Sequence, residues 1–162
     1  MDKTIIIEQV KMPKRTYLVK WSQNASDYFE YAQEVGCGIR DYSSVWDYLE
    51  TKGEPVGLWV PEHLRPRNTG EYVHGVEVPK DYTVEHEGYS LLEVDETDYL
   101  KVQGEPFNDE DFQEAISLVK DEMNKIDFDE LGVHLALDQA PRLQLAVEGH
   151  RGYVEYLPVL KK

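Results

Sequence analysis

Hydrophobic residues, many of them β-branched or aromatic, dominate two neighbouring stretches near the start of the chain, residues 4–10 (TIIIEQV) and 15–21 (RTYLVKW). Short runs of this composition are typical of strands, and Pro13 between the stretches favours a turn. We therefore expect a β-hairpin here. The same pattern returns in residues 89–94 (YSLLEV) and 98–103 (DYLKVQ), which predicts a second hairpin-like pair.

Three stretches have the signals of helices. Ser26 is placed to cap a short helix that Gly36 ends, and residues 41–53 are expected to form another. The clearest helix spans residues 108–126, with acidic residues in its first turn, where the helix dipole favours them. Its apolar residues recur at helical spacing and predict one buried face: Phe112, Ala115, Ile116, Val119, Met123 and Ile126.

The remaining strands complete two halves with the same order of elements. They are expected at residues 54–60, 70–79, 131–137, 142–147 and 152–159. Each half then reads as strand–strand–helix–strand–strand, and a half of this size buries only one face of its sheet. We therefore predict a single domain over residues 1–162, built from halves at approximately 1–80 and 81–162.

Alignment of the halves adds residue correspondences to the shared order. The stretches YLVKW and YLKVQ match, as do VGLWV with LGVHL and EYVHGVEV with GYVEYLPV. These matches place Tyr17 with Tyr99, Trp59 with His134, Tyr72 with Tyr153, and His74 with Glu155.

The charge of the chain restricts its partners. There are 32 acidic and 17 basic residues, a formal net charge of −15 at pH 7. A field of this sign repels nucleic-acid phosphates and anionic lipids and attracts cations, so we expect neither nucleic acid nor a membrane as a partner. The apolar run near residue 5 is only three residues long, which indicates no signal peptide and favours a cytoplasmic protein.

Motifs of catalysis and metal binding do not occur in the sequence. Cys37 is the only cysteine, so no internal disulfide and no cysteine-based metal site can form. The five histidines have no metal-ligand spacing, and there is no phosphate-binding loop, dinucleotide fingerprint or nucleophile elbow. We predict no metal, no cofactor and no catalytic constellation, and we interpret Cys37 as chemically inert.

Two motifs resemble those of a known family. Residues 72–79 read Y-x-x-G-V-E-V-P, and the last strand, rich in aromatic residues, ends in Pro158-Val159. With the duplicated order of elements, this pattern resembles the GyrI-like effector-binding domain over essentially the whole chain. That domain occurs behind the DNA-binding domains of AraC-type and MerR-type regulators, and also alone.

The resemblance implies an α+β fold. Two pseudo-twofold-related strand/helix modules would form a central ligand cleft from their antiparallel sheets. It also implies a role as an effector-binding or multidrug-binding domain, related to transcription regulation, whose ligands are often aromatic organic cations. Because the chain has no room for a helix-turn-helix before Tyr17 or after Lys162, we expect a version without a DNA-binding domain.

The residues themselves suit such a ligand. Eleven tyrosines and three tryptophans offer faces that attract flat molecules and cations, at about 0.5–2 kcal/mol per cation contact. A carboxylate would balance the charge, with Glu155 the first choice and Glu77 the second, and Gly75 leaves a gap for a ligand or a close backbone. The predicted ligand-binding residues are Trp59, Tyr72, Glu77, His134, Tyr153, Glu155 and Tyr156.

We therefore favour a non-catalytic protein that binds hydrophobic, often cationic, aromatic small molecules. One alternative is a hydrolase that opens the cyclopropane rings of DNA-alkylating natural products. A carboxylate would then be the general base, and a tyrosine would polarise a carbonyl. The other alternative is an acidic protein that interacts with DNA gyrase, and a protein partner is left open.

Overall fold

A computed structural model describes residues 5–35, 56–79, 81–82, 88–145 and 152–162. Two 3₁₀ turns, Glu62–Leu64 and Asp109–Asp111, accompany the helices and strands. The helices are α1 (Tyr28–Val35) and α2 (Phe112–Asn124). The strands are β1 (Ile6–Met12), β2 (Arg15–Lys20), β3 (Val56–Trp59), β4 (Tyr72–Val78), β5 (Ser90–Val94), β6 (Thr97–Gln103), β7 (Val133–Leu135), β8 (Arg142–Leu145) and β9 (Val154–Lys161).

All strand pairs in the described residues are antiparallel, and they form one sheet in the order β1-β6-β9-β8-β3-β4-β2-β5, with β7 added on β9. The predicted α+β class, dominated by antiparallel sheet, is confirmed. The helix predicted at 41–53 and the residue Cys37 lie outside the described residues. No helix in the described segments is both long enough and apolar enough to cross a membrane.

The two predicted hairpins are wrong. Instead of pairing with each other, β1 pairs with β6, and β2 pairs with β5. The register does not change across the break between them, since Ile6 faces Gln103, Met12 faces Thr97 and Arg15 faces Val94. Residues 6–20 and 90–103 thus form one long antiparallel ladder, interrupted only near Pro13. The local residue pattern predicted each strand correctly, but it contains no information about a partner some 80 residues away.

A buried guanidinium joins strands of the two halves. Arg15 is 4% exposed; its Nε donates to the Tyr17 hydroxyl at 2.9 Å and its Nη2 to the Tyr99 hydroxyl at 2.7 Å. The Tyr99 hydroxyl in turn donates to the carbonyl of Pro141 at 2.8 Å. Four strands separate β2 from β6 in the sheet order. The sheet therefore curves until these two strands approach each other through Arg15.

Helix α2 covers part of the sheet face that carries Leu100 and Val102, opposite to the face that carries Tyr99. Val119 is fully buried in a cluster with Leu100, Val102 and Tyr153, and full burial of such a valine contributes about 1.5–3 kcal/mol. Phe112, predicted to be buried, is 40% exposed because it begins the helix directly after the 3₁₀ turn.

The start of α1 differs by one residue from the prediction. Asp27, rather than Ser26, caps the helix, since its Oδ1 accepts the Glu30 amide at 2.9 Å. Ser26 instead donates its hydroxyl to the Glu30 carboxylate at 2.6 Å. Asp27 thus satisfies an amide of the first turn, while Ser26 binds the Glu30 carboxylate.

Gly75 is a position of close packing between strands. A Cβ atom there would lie 2.7 Å from Cγ1 of Val19 and 3.2 Å from the Leu18 carbonyl oxygen. Of the two expectations for this glycine, the structure shows the close backbone approach, because β2 fills the space where a side chain would stand.

Candidate functional site

The four central strands bring polar and aromatic side chains to one face of the sheet. In the register of β3, β4 and β8, Trp59 is opposite both Tyr72 and Arg142. Gln144 of β8 is opposite Glu155 of β9. Directly opposed residues in antiparallel strands project to the same side, so these five side chains share one surface.

A chain of hydrogen bonds crosses this surface between the halves. The Tyr72 hydroxyl donates to Gln144 Oε1 at 2.9 Å, and Gln144 Nε2 donates to the Tyr153 hydroxyl at 2.6 Å. The Tyr153 hydroxyl then donates to Glu155 Oε2 at 2.6 Å. Both tyrosines are at most 1% exposed. Gln144 therefore bridges two buried phenols, one from each half of the chain.

Glu155 is fully buried, and both of its carboxylate oxygens have partners. Oε2 accepts from Tyr153, while Arg142 donates its Nε to Oε1 at 2.7 Å and also contacts Oε1 through Nη2. An isolated buried carboxylate would carry a desolvation cost of several kcal/mol. Here the guanidinium and the phenol offset that cost.

The guanidinium of Arg142 also stacks on an aromatic ring. Its Cζ lies 4.4 Å from the ring centroid of Trp59, whose Nε1 donates to the Ser26 carbonyl at 2.9 Å. Trp59 in turn lies against Tyr72, with ring centroids 4.9 Å apart. Arg142 thus occupies a cation–π position over the tryptophan and an ion-pair position on Glu155 at the same time.

Burial raises the pKa of Tyr153 far above the ordinary value of a phenol, and the adjacent Glu155 carboxylate raises it further. The hydroxyl is therefore protonated throughout the physiological range. It acts as a hydrogen-bond donor to Glu155 and not as an anion.

Gly57 and His74 complete the first-half side of the site. A Cβ atom on Gly57 would overlap the Tyr72 hydroxyl, so the glycine makes room for the phenol. The His74 Nε2 lies 3.1 Å from that same hydroxyl, and the His74 ring lies 4.4 Å from the ring of Tyr31.

An open groove of about 970 Å³ adjoins this cluster at Trp59 and Arg142. Glu62, Glu71 and Asp138 contribute carboxylates to its lining, and His63 and Arg65 contribute nitrogen groups. No group of three or more His, Cys, Asp or Glu side chains within the described segments is arranged to hold a metal ion. The groove gives solvent access to one end of the cluster.

Four of the seven residues predicted from the sequence are brought together here: Trp59, Tyr72, Tyr153 and Glu155. Glu77 lies on β4 opposite Tyr17, one residue out of step with Tyr72 and His74, and so faces the other side of the sheet. Tyr156 likewise faces away from Glu155, and its ring meets that of Tyr99 at 6.0 Å.

His134 lies apart from this cluster. It is exposed on β7, opposite Leu160. The alignment matched VGLWV of β3 with the stretch around β7. In the sheet, β7 is added on β9, whereas β3 lies between β4 and β8. Trp59 consequently faces Arg142 rather than a counterpart at His134.

Sequence reasoning missed Arg142, Gln144 and Gly57. The stretch RLQL alternates polar and apolar residues, which places Arg142 and Gln144 on the same face. That signal was available, but polar residues on a short strand most often face solvent. Their role becomes visible only when β8 is known to lie between β3 and β9.

Comparison with solved structures finds proteins of the same fold. A hydrolase encoded by lin2189 from Listeria innocua has a TM-score of 0.62 at 11% identity, over 95% of this chain and 91% of that one. The C-terminal domain of EcmrR has a TM-score of 0.53 at 12% identity, over 100% of both chains. SAV2435 bound to tetraphenylphosphonium has a TM-score of 0.53 at 15% identity, over 100% of this chain and 94% of that one.

No protein-family model matches the sequence, and no curated protein sequence matches it. The assignment of the fold therefore rests on the structural similarity, which covers nearly the whole chain.

Proposed function

Because the chain has the fold of the GyrI-like effector-binding domains, we propose that it binds hydrophobic aromatic small molecules, organic cations among them. The proposed site is the cluster formed by Trp59, Tyr72, Tyr153 and Glu155. The observation that carries this proposal is the fully buried Glu155 carboxylate, held among aromatic side chains next to an open groove. Fully buried glutamates are rare in protein cores, and buried ionisable groups of this kind cluster at functional sites.

We further propose that the two halves are related by a pseudo-twofold axis through the site. The strand order is unchanged on reversal when β1 exchanges with β5, β2 with β6, β3 with β8 and β4 with β9. The register supports the same axis, since Gly57 faces Gln144, His74 faces Gly57, and Glu155 faces Gln144. Gly57 and Gln144 would thus be equivalent residues that meet at the axis.

The chemistry of the site suits flat or multi-ring ligands. Aromatic faces contribute about 0.5–1.5 kcal/mol per ring pair beyond the area that they bury. Glu155 supplies a negative charge in a region from which water is excluded, so its interaction with a cationic guest is weakly screened. Tetraphenylphosphonium, the ligand of the similar SAV2435 structure, has both aromatic rings and a positive charge.

Titration of the protein with tetraphenylphosphonium tests the proposal. Binding should quench tryptophan fluorescence. In W59F a large part of that quenching should be lost, and only the contribution of Trp21 and Trp46 should remain. E155Q should weaken binding by about tenfold or more, which corresponds to a loss of about 1.4 kcal/mol.

A matched control is E77Q, because Glu77 is a half-buried strand glutamate on the opposite face of the sheet. It should bind the cation like the wild type. Equal binding by E155Q and wild type would refute the role of Glu155, and the absence of any binding at high micromolar concentration would refute the proposed function.

A hydrolytic activity is the second candidate, favoured by the short hydrogen bond from Tyr153 to Glu155 and by the Listeria hydrolase of the same fold. Glu155 would accept a proton from water as the new C–O bond forms and a strained C–C bond breaks. Tyr153 would turn its single hydroxyl proton from Glu155 to the conjugated carbonyl that receives the electron pair, and the proton taken up by Glu155 would then pass to the resulting enolate. Incubation with a cyclopropane-containing substrate should then give a product heavier by one water, and E155Q should leave the substrate intact.

A further inference from the structure

We propose that Arg142 is an internal cation that occupies the organic-cation position of the site and must leave it before a cationic ligand can bind. In this role Arg142 determines ligand charge selectivity. The inference rests on the proposed function, since it concerns the ligands of that same cluster.

The contacts of Arg142 are those that a bound organic cation would make. Its guanidinium lies 4.4 Å from the centroid of Trp59, within the range of a cation–π interaction. The same group donates its Nε to the buried Glu155 carboxylate at 2.7 Å. A ligand that needs both the aromatic face and the negative charge therefore finds both already occupied.

The groove beside the site offers the Arg142 guanidinium an alternative position. Its side chain is 24% exposed, whereas its partner Glu155 is fully buried, so the pair is open on the arginine side. That side is the groove, whose lining includes the carboxylates of Glu62, Glu71 and Asp138. A guanidinium displaced from Glu155 could move toward these acids without becoming a buried, unpaired charge.

This arrangement predicts how ligand charge affects binding. With Arg142 on Glu155, the pair has no net charge, and a neutral aromatic ligand can bind in the groove beside it. A cationic ligand must replace Arg142 on both Trp59 and Glu155, so part of its binding free energy is offset by the lost contacts of Arg142. The unmodified protein should then favour a cation over a neutral molecule of the same shape less strongly than a variant without Arg142 does.

The test compares tetraphenylphosphonium with the neutral triphenylphosphine oxide on the wild type and on R142M. Calorimetric titration should show R142M binding the cation about tenfold or more tightly than the wild type, with the neutral ligand changed by less than about threefold. R142M/E155Q should lose this gain, because the carboxylate that attracts the cation is then absent.

The matched control is R65M, since Arg65 lines the same groove and Glu155 is not among its ion-pair or hydrogen-bond partners in the described residues. Loss of one groove charge should change cation affinity by only about twofold at physiological salt. If R142M and R65M gain equally, or if R142M binds the cation less tightly, the proposal is overturned. If neither ligand binds to any variant, the proposed function fails, and this inference fails with it.

A measurement on the wild type protects the test against poor folding of R142M, in which Glu155 loses its cation. The Arg142 Nε–H signal can be followed by ¹H–¹⁵N NMR and assigned by its absence in R142K. With tetraphenylphosphonium it should shift and exchange more rapidly with water, because its hydrogen bond to Glu155 is lost, whereas with triphenylphosphine oxide it should stay protected from exchange. Cation binding that leaves the Arg142 signal unmoved would overturn the proposal.

Discussion

Replacement of Arg15 by methionine tests the contact that closes the curved sheet. The guanidinium has four hydrogen bonds, to the Tyr17 and Tyr99 hydroxyls and, at 3.3 and 3.4 Å, to the carbonyls of Pro13 and Asp95. Methionine removes all four and retains an apolar chain of similar reach. The two tyrosines are then affected differently. Tyr99 still donates to Pro141, whereas Arg15 is the hydrogen-bond partner that the structure shows for the Tyr17 hydroxyl.

The expected cost follows from that difference. Leaving the buried Tyr17 hydroxyl without a partner costs about 1–3 kcal/mol. The two cation–π contacts of Arg15, at 5.6 Å to the ring of Tyr17 and 5.3 Å to that of Tyr99, are lost as well. A total of about 2–4 kcal/mol corresponds to a decrease in Tm of about 4–16 °C for a chain of this size.

Chemical denaturation of a set of variants checks this reasoning. R15M/Y17F should recover about 1 kcal/mol or more relative to R15M, because the unpaired hydroxyl is removed with its cost. R15M/Y99F should recover nothing and should lose further stability, since the Pro141 carbonyl then loses its donor. Equal effects of Y17F and Y99F in the R15M background, or wild-type stability of R15M, would refute the argument.

Two further predictions concern the glycine beside the site and the buried phenols. G57A should destabilise the protein by about 1–3 kcal/mol in denaturant titrations, because the new methyl group overlaps the Tyr72 hydroxyl, and Y72F should relieve part of that cost. Burial raises the pKa of Tyr99 to about 12, above its ordinary unfolded value of about 10. The stabilising contribution of the buried Tyr99 phenol is therefore fully present below about pH 10 and is lost between about pH 10 and 12, at about 1.4 kcal/mol per pH unit. Absorbance at 295 nm should show these phenols ionising together with unfolding, and ionisation in the folded state near pH 10 would contradict this.

The elements of the fold were predicted more accurately than their pairing. β4 and β9 appear within two residues of their predicted positions, because the residue pattern along one strand is a local property. The hairpins failed because β1 and β2 each pair with a strand of the other half. The choice between a hairpin and this long ladder depends on contacts such as that of Arg15 with Tyr99, which no local pattern reveals.

In the candidate site, too, the residues marked by a local pattern were predicted, and those that depend on strand pairing were not. The duplicated strands pointed to Tyr72, Tyr153 and Glu155, and the register of the central strands brings these residues onto one surface. Gln144 and Arg142 were missed because their importance comes from position in the sheet and not from a motif. The sequence contains 17 basic residues, and nothing local distinguishes the one that neutralises Glu155.

The negative charge of Glu155 sets the direction of every hydrogen bond that leads to it. A carboxylate only accepts, so Tyr153 must donate to it and must itself accept from the amide of Gln144. The amide oxygen of Gln144 then accepts the single proton of the Tyr72 hydroxyl. The Tyr72 hydroxyl oxygen can therefore only accept a hydrogen bond from His74. His74 should therefore carry a proton on Nε2, and ¹⁵N chemical shifts of its ring can verify this. E155Q removes the fixed acceptor and should allow the other tautomer to appear. An unprotonated Nε2 in the wild type would show that the chain of hydrogen bonds does not run from His74 to Glu155.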